Sequence, residues 1–152
     1  LPDNDKMMRA HASNTPVPEF PNPAFTTPPA LSQARVAIVT SAALHFAADD
    51  GFSPISDPKF TVLEDSEREL RLGHFSPNFD RGGFAADINV VYPVDRLREL
   101  AEQGTIASVA SRHYAFAGNQ DDTVSGIRLD TGPEVAKRLL EDGVNVVLLT
   151  PV

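Results

Sequence analysis

The sequence of 152 residues contains no cysteine and no tryptophan. Without cysteine there is no disulfide framework, no thiolate zinc site, no iron–sulfur cluster and no cysteine nucleophile within these residues. Runs of Lys and Arg are also missing: 13 basic residues stand against 21 acidic ones, for a net charge of −8. Such a chain lacks the cationic footprint that phosphate neutralisation needs, so nucleic acid is not an expected partner, and an anionic membrane surface is disfavoured for the same reason. No stretch approaches the roughly 18 consecutive apolar residues of a membrane span. Residues 1–12 (LPDNDKMMRAHA) have no apolar core of signal-peptide length, so a cytoplasmic location is the plain expectation. At 41% hydrophobic residues the chain is not disordered by composition, and its length fits one core.

Two features of the ends stand out. The chain opens on Leu1 rather than Met, and it closes on VNVVLLTPV, an apolar β-type run that stops at Val152. Domains seldom finish on a buried strand with no exit, so the expectation is an α/β domain over 34–152 that is incomplete at its C-terminus. Ahead of it, residues 14–31 carry six of the thirteen prolines. Proline at this density removes backbone donors and fixes φ, so residues 1–33 read as an extended Pro-rich arm, either a disordered linker or, through Val17, Phe20, Phe25 and Leu31, one that packs on its own surface or a partner's. That arm and the uncovered last strand favour a homodimer or a complex with another subunit or a missing C-terminal part.

Within 34–152, the run 34–40 (ARVAIVT) reads as a strand covered on both faces, hence part of a parallel sheet. A further strand is expected at 60–63, and a long functional loop over 73–89. Val94, Leu97, Leu100 and Ala101 share one helical face, with Pro93 and Asp95 suited to a helix start and Gly104 placed to stop it. A strand at 105–110, a polar excursion over 118–130, a T-x-x-E capping box at Thr131–Glu134, a helix ending at Gly143 and a strand at 144–150 complete the pattern. The expected fold is α/β, three-layer, with a largely parallel sheet of flavodoxin/Rossmann-like topology. TSAALH follows the first strand, so there is no Gly-x-Gly-x-x-Gly dinucleotide fingerprint, and no Walker motif occurs.

In open parallel sheets ligands bind beyond the carboxyl ends of the strands. That rule selects Thr40, Ser41 and His45 after the first strand, Arg112, His113 and Tyr114 after the middle one, and Thr150 after the last. Arg112 suits a bidentate pair with a substrate carboxylate, and His45 and His113 suit proton transfer in supporting catalytic roles. His74, in the long loop, joins Thr40, Ser41, Arg112, Tyr114 and Thr150 as a substrate-binding candidate. The spacings of His45, His74 and His113, 29 and 39 residues, match no local metal-ligand pattern, and no metal is expected. No Gly-x-Ser-x-Gly elbow is present to expose a serine nucleophile.

RVAIVTSAALH (35–45), the stretch 73–110 from GHFSPNFDRGG to TIASVA, RHYAFAG (112–118) and DGVNVVLLTPV (142–152) together resemble the glycine/sarcosine/betaine/D-proline reductase selenoprotein B family. In that family the strand ending in T-P-V is followed at once by selenocysteine or cysteine, with another cysteine soon after. The resemblance therefore implies a redox nucleophile immediately beyond Val152, and no cofactor encoded within the 152 residues. It implies reductive cleavage, typically of a C–N bond, in a small carboxylate-bearing substrate, and for the amino-acid reductases a partner subunit whose pyruvoyl group binds the amine. The alternative is a non-catalytic α/β subunit for small-molecule binding or complex assembly.

Overall fold

In the computed structural model, residues 2–14, 26–64, 69–76, 81–121 and 123–152 are described. In chain order they form helix α1 (Pro2–Asn14), strand β1 (Arg35–Thr40), the short strand β2 (Leu44–Phe46), β3 (Phe60–Glu64), β4 (Leu70–Leu72), helix α2 (Arg81–Ala86), α3 (Val94–Glu102), β5 (Ser108–Val109), β6 (Arg112–Phe116), α4 (Gly132–Glu141) and β7 (Val146–Thr150). The first part of the expected extended arm is thus helical, as α1; most of its proline-dense stretch, 15–25, lies outside the described residues.

β1 is the axis of the sheet. Its Val36, Ala37 and Ile38 are at most 4% exposed, as the continuous apolar run requires. β7 pairs with one edge of β1 in parallel from Val36 opposite Val146 to Thr40 opposite Thr150, and β5 and β6 pair in parallel with the other edge. β3 closes the β6 edge in antiparallel fashion, so the α/β class holds but the sheet is mixed. β2 and β4, which no periodicity announced, form a separate antiparallel pair. Successive side chains of β1 face opposite ways. Val36 and Ile38 join Val94 and Leu97 of α3 in one apolar cluster, while Ala37 joins Val135 and Leu139 of α4 in another. Gly104 and Gly143 end the two helices with φ of +72° and +70°, the left-handed cap that glycine adopts without a Cβ clash.

Three expectations need correction. The strand expected at 105–110 shrinks to Ser108–Val109, and a second strand, β6, begins at Arg112, so Arg112, His113 and Tyr114 lie inside the sheet rather than beyond a strand end. Between Val36, opposite Val109, and Val39, opposite Tyr114, the β5–β6 side carries two more residues than β1 does, and this irregularity hides the continuity of the strand from pattern reading. The Thr131–Glu134 capping box does not form. The helix continues upstream through a wide turn in which Gly132 N–H bonds Ile127 C=O, Thr131 donates to Pro58 C=O at 2.7 Å, and Glu134 accepts from Arg138 at 2.8 Å. The third concerns β7. Leu149 is 68% exposed, so this strand is not covered on both faces. Within the expected loop 73–89, residues 81–86 form α2 and 77–80 lie outside the described residues.

Candidate functional site

Because β1, β6 and β7 run in parallel, their carboxyl ends converge on one edge of the sheet, and the segments leaving them close a crevice of about 540 Å³. Its walls are Ala43, His74, Phe75, Ser76, Gly118, Asn119 and Val152. Thr40, almost fully buried, ties the edge together: its hydroxyl accepts Ala42 N–H at 3.2 Å and donates to Thr150 C=O at 3.3 Å. The Thr150 hydroxyl reaches the other way and donates to Val91 C=O at 3.0 Å.

Ser41 and His74 hold Val152. The Ser41 hydroxyl accepts Val152 N–H at 2.8 Å and lies 3.4 Å from Val152 O, to which it donates. Ser76 N–H, which can only donate, sits 3.3 Å from His74 Nδ1, so Nε2 carries the ring proton and donates to Val152 O at 3.2 Å. In the 152-residue chain that oxygen belongs to a carboxylate; in a longer chain it stands for a peptide carbonyl. Arg81 fixes the His74 backbone by donating to its carbonyl at 2.7 Å. Gly118 completes the floor. A Cβ there would sit 3.4 Å from both Ser41 O and Val152 O, and its absence leaves the crevice open.

His45 lies outside these walls, in β2. Ala43, turned into the left-handed region at φ +53°, aims its carbonyl at both Gly73 N–H and His45 Nδ1, each at 3.1 Å, so Nδ1 is the protonated nitrogen of that ring. Gly73 allows this approach: a Cβ on it would meet Ala43 O at 2.8 Å and the His45 ring at 3.1 Å. His45 faces instead a separate hollow with Asp49, Asp50 and Lys59.

His113 is fully buried. Its Nδ1 accepts Ile38 N–H at 2.9 Å, an imidazole standing in for a backbone carbonyl where the β1–β6 ladder skips. Nε2 therefore carries the proton, and it has no hydrogen-bond partner among the described residues. Burial, with a smaller contribution from the Arg98 charge, pushes its pKa down from 6.5 to about 4, so the ring is neutral at pH 7. Tyr114 points to the opposite face, edge-on to Phe60 at 5.7 Å. Its burial pushes its pKa up.

Arg112 starts β6 at the amino edge of the sheet. It grips Asp142 with Nε at 2.8 Å and Nη2 at 2.6 Å, and that bond holds the Asp142 carboxyl below its ordinary range while raising the arginine. The structure therefore brings Thr40, Ser41, His74 and Thr150 to one edge and leaves His45, Arg112, His113 and Tyr114 elsewhere. Phe75, Gly118 and Asn119 are crevice residues that the strand-end rule did not select; only the position of Gly118 just past a strand could have marked it. Among the described residues no three His, Cys, Asp or Glu side chains converge to hold a metal, and no helix is long and apolar enough to cross a membrane.

The chain is 36% identical over 137 residues to the D-proline reductase subunit gamma of Acetoanaerobium sticklandii, covering 88% of this chain and 55% of that protein. It is 30% identical over 144 residues to the sarcosine reductase complex component B subunit beta of Peptoclostridium acidaminophilum, covering 89% of this chain and 32% of that one. The glycine reductase complex component B subunit gamma of Carboxydothermus hydrogenoformans is 28% identical over 148 residues, with 89% and 32% covered. The chain thus spans about half, or a third, of the length of the curated relatives it matches. No solved structure matches it. The family profile described as glycine/sarcosine/betaine reductase selenoprotein B matches residues 8–152, nearly the whole chain, and the protein belongs to that family.

Proposed function

We propose that this chain builds the nucleophile-bearing edge of a reductase that cleaves a C–N bond in a small carboxylate-bearing substrate. The reacting atom is the selenolate or thiolate of the residue following Val152. It attacks the carbon α to the carboxylate, the C–N bond breaks, and the amine leaves with the electron pair and takes up a proton. A neighbouring thiolate then attacks the chalcogen, the carbon accepts a proton, and the reduced carboxylate departs. The chalcogen pair is left oxidised, to be reduced again by an external thiol donor.

The observation that carries this reading is the double grip on Val152. Ser41 binds both its N–H and its oxygen and His74 binds the oxygen again, so the next residue starts from a fixed point at the crevice. Positioning of this kind is worth orders of magnitude when the reacting atoms must meet in line. Ser41 and His74 are the positioning residues of the proposal, and Thr40 and Thr150 hold the strand ends beneath them. His45 and His113 take no proton-transfer step in it, and Arg112, engaged by Asp142, takes no substrate carboxylate.

The test is a full-length chain in which the residue following Val152 is changed to serine, assayed with D-proline, sarcosine, glycine and betaine under a dithiol donor and with the cognate subunits. Loss of turnover at retained fold supports the reading; undiminished turnover overturns it. In that second case the exposed apolar face of β7 favours the assembly-subunit alternative.

A further inference from the structure

The two crossovers of the sheet leave one place empty. From β1 the chain passes through α3 to β6, and from β6 it returns through α4, over β1, to β7, so α3 and α4 pack on opposite faces. On the α4 face the cover stops short. Val135 and Leu139 are buried against β1 and β6, but Leu140 is 75% exposed, and on β7 Val147 and Leu149 are 39% and 68% exposed. Between α4 and β7 lies a groove of about 570 Å³, whose walls include Val135, Ala136 and Leu139 on one side and Val147 and Leu149 on the other. Among the described residues no charged side chain lines it, in a chain where 22% of residues are charged. An uncharged apolar groove beside a strand paired on only one edge, among the described residues, needs cover.

Handedness says what kind of cover fits. Parallel β–α–β crossovers are right-handed almost without exception. The step from β6 to β7 moves across the sheet with its helix on the α4 face. A further step in the same direction, adding a strand to the free edge of β7, puts its helix on that same face, and so in this groove. Pro151 and Val152, where such a crossover would begin, lie on the groove wall. The length of the relatives supplies the occupant: a little under half of the D-proline reductase subunit gamma lies outside the matched span, and about two thirds of each of the other two.

We infer that the groove between α4 and β7 is the seat of an amphipathic helix, followed by a strand that pairs in parallel with β7, both supplied by polypeptide encoded beyond Val152. This shares with the proposed function only the premise that polypeptide follows Val152; it does not depend on the chemistry of the next residue.

The probe is the segment encoded directly downstream of the Val152 codon, produced as a separate polypeptide and titrated into the 152-residue chain. A one-to-one complex is expected, with slowed amide exchange in 146–150 and on the exposed side of α4. Leu149→Glu and Ala136→Glu, on opposite walls and both exposed enough to leave the fold intact, each weaken the complex at least tenfold, whereas Leu129→Glu, equally exposed but off the groove, leaves it unchanged. Absence of a complex, or a complex indifferent to both groove substitutions, overturns the inference. So does a homodimer of the 152-residue chain that buries β7 and excludes the probe, which would make a second copy the occupant. Because the readout is assembly, a serine at the position following Val152 in the probe leaves binding unaffected; failure of the reductase chemistry and failure of docking are therefore separate results.

Discussion

Ser41 Oγ lies 2.8 Å from Val152 N and 3.4 Å from Val152 O, so a single hydroxyl at the end of β1 fixes both backbone groups of the residue that ends the β7 segment. Ser41→Ala removes both bonds. The expected cost is about 1 kcal/mol of stability, with faster amide exchange at Val152 and unchanged exchange in the middle of β1. Exchange at Val152 equal to that of the parent chain would show that β7 pairing alone holds this end.

His74 makes the third bond to Val152 and covers the crevice wall. His74→Phe keeps the bulk and loses both ring bonds, to Ser76 N–H and Val152 O. In the full-length enzyme we expect turnover to fall at least tenfold while Tm changes by no more than a few degrees, since displacement of a reacting group by about 1 Å can cost about a hundredfold in rate. Partial rescue by His74→Gln, which can donate to Val152 O, separates positioning from bulk packing.

Buried His113 makes stability depend on pH. Its folded pKa of about 4 lies below the ordinary 6.5, so the unfolded chain binds a proton that the folded chain refuses. Its contribution is complete above pH 6.5 and is lost as pH falls from there toward 4, by about 3 kcal/mol. Denaturant melts at pH 7 and pH 5 should differ in the parent chain and differ less in His113→Asn, which keeps an acceptor for Ile38 N–H but does not titrate. His113→Leu strands that N–H and should destabilise at every pH, by about 1–3 kcal/mol from the lost bond. A parent chain equally stable at both pH values would contradict the account.

Arg112 and Asp142 pin the amino edge of the sheet to the end of α4. Arg112→Ala should destabilise by roughly 1–2 kcal/mol, a value moderated by partial exposure of the pair, without altering the substrate affinity of the full-length enzyme. The Asp142 carboxyl is held below its ordinary range, so its contribution is present above about pH 4 and disappears as acid protonates it. A change in KM with unaltered stability would return Arg112 to the substrate.

The sequence made β1, α3, the end of α4 and the strand-end positions of Thr40 and Thr150 legible because those elements rest on local rules: continuous apolar runs, helical spacing and glycine stops. Val36 to Ile38 and Val94 with Leu97 are buried as that spacing predicts. What sequence could not disclose depends on distant partners. His113 reads as a strand-end histidine until the ladder irregularity is seen to place it opposite Ile38 N–H, seventy-five residues away. Arg112 reads as an anion ligand until Asp142 is found in its grip, and Thr131 as a cap until Pro58 C=O claims its hydroxyl. Leu140 has the right spacing for the α4 core and yet is exposed, since spacing identifies an apolar face without saying what covers it.

The central claim is that the reacting atom follows Val152. Its most direct test is peptide mass mapping of the full-length protein, isolated from its own host, reduced and treated with iodoacetamide while turnover is followed. The account predicts a selenocysteine or cysteine adduct on the residue immediately after Val152, formed in step with loss of turnover and slowed by substrate. Another residue type at that position, or full turnover once the adduct is complete, would contradict it.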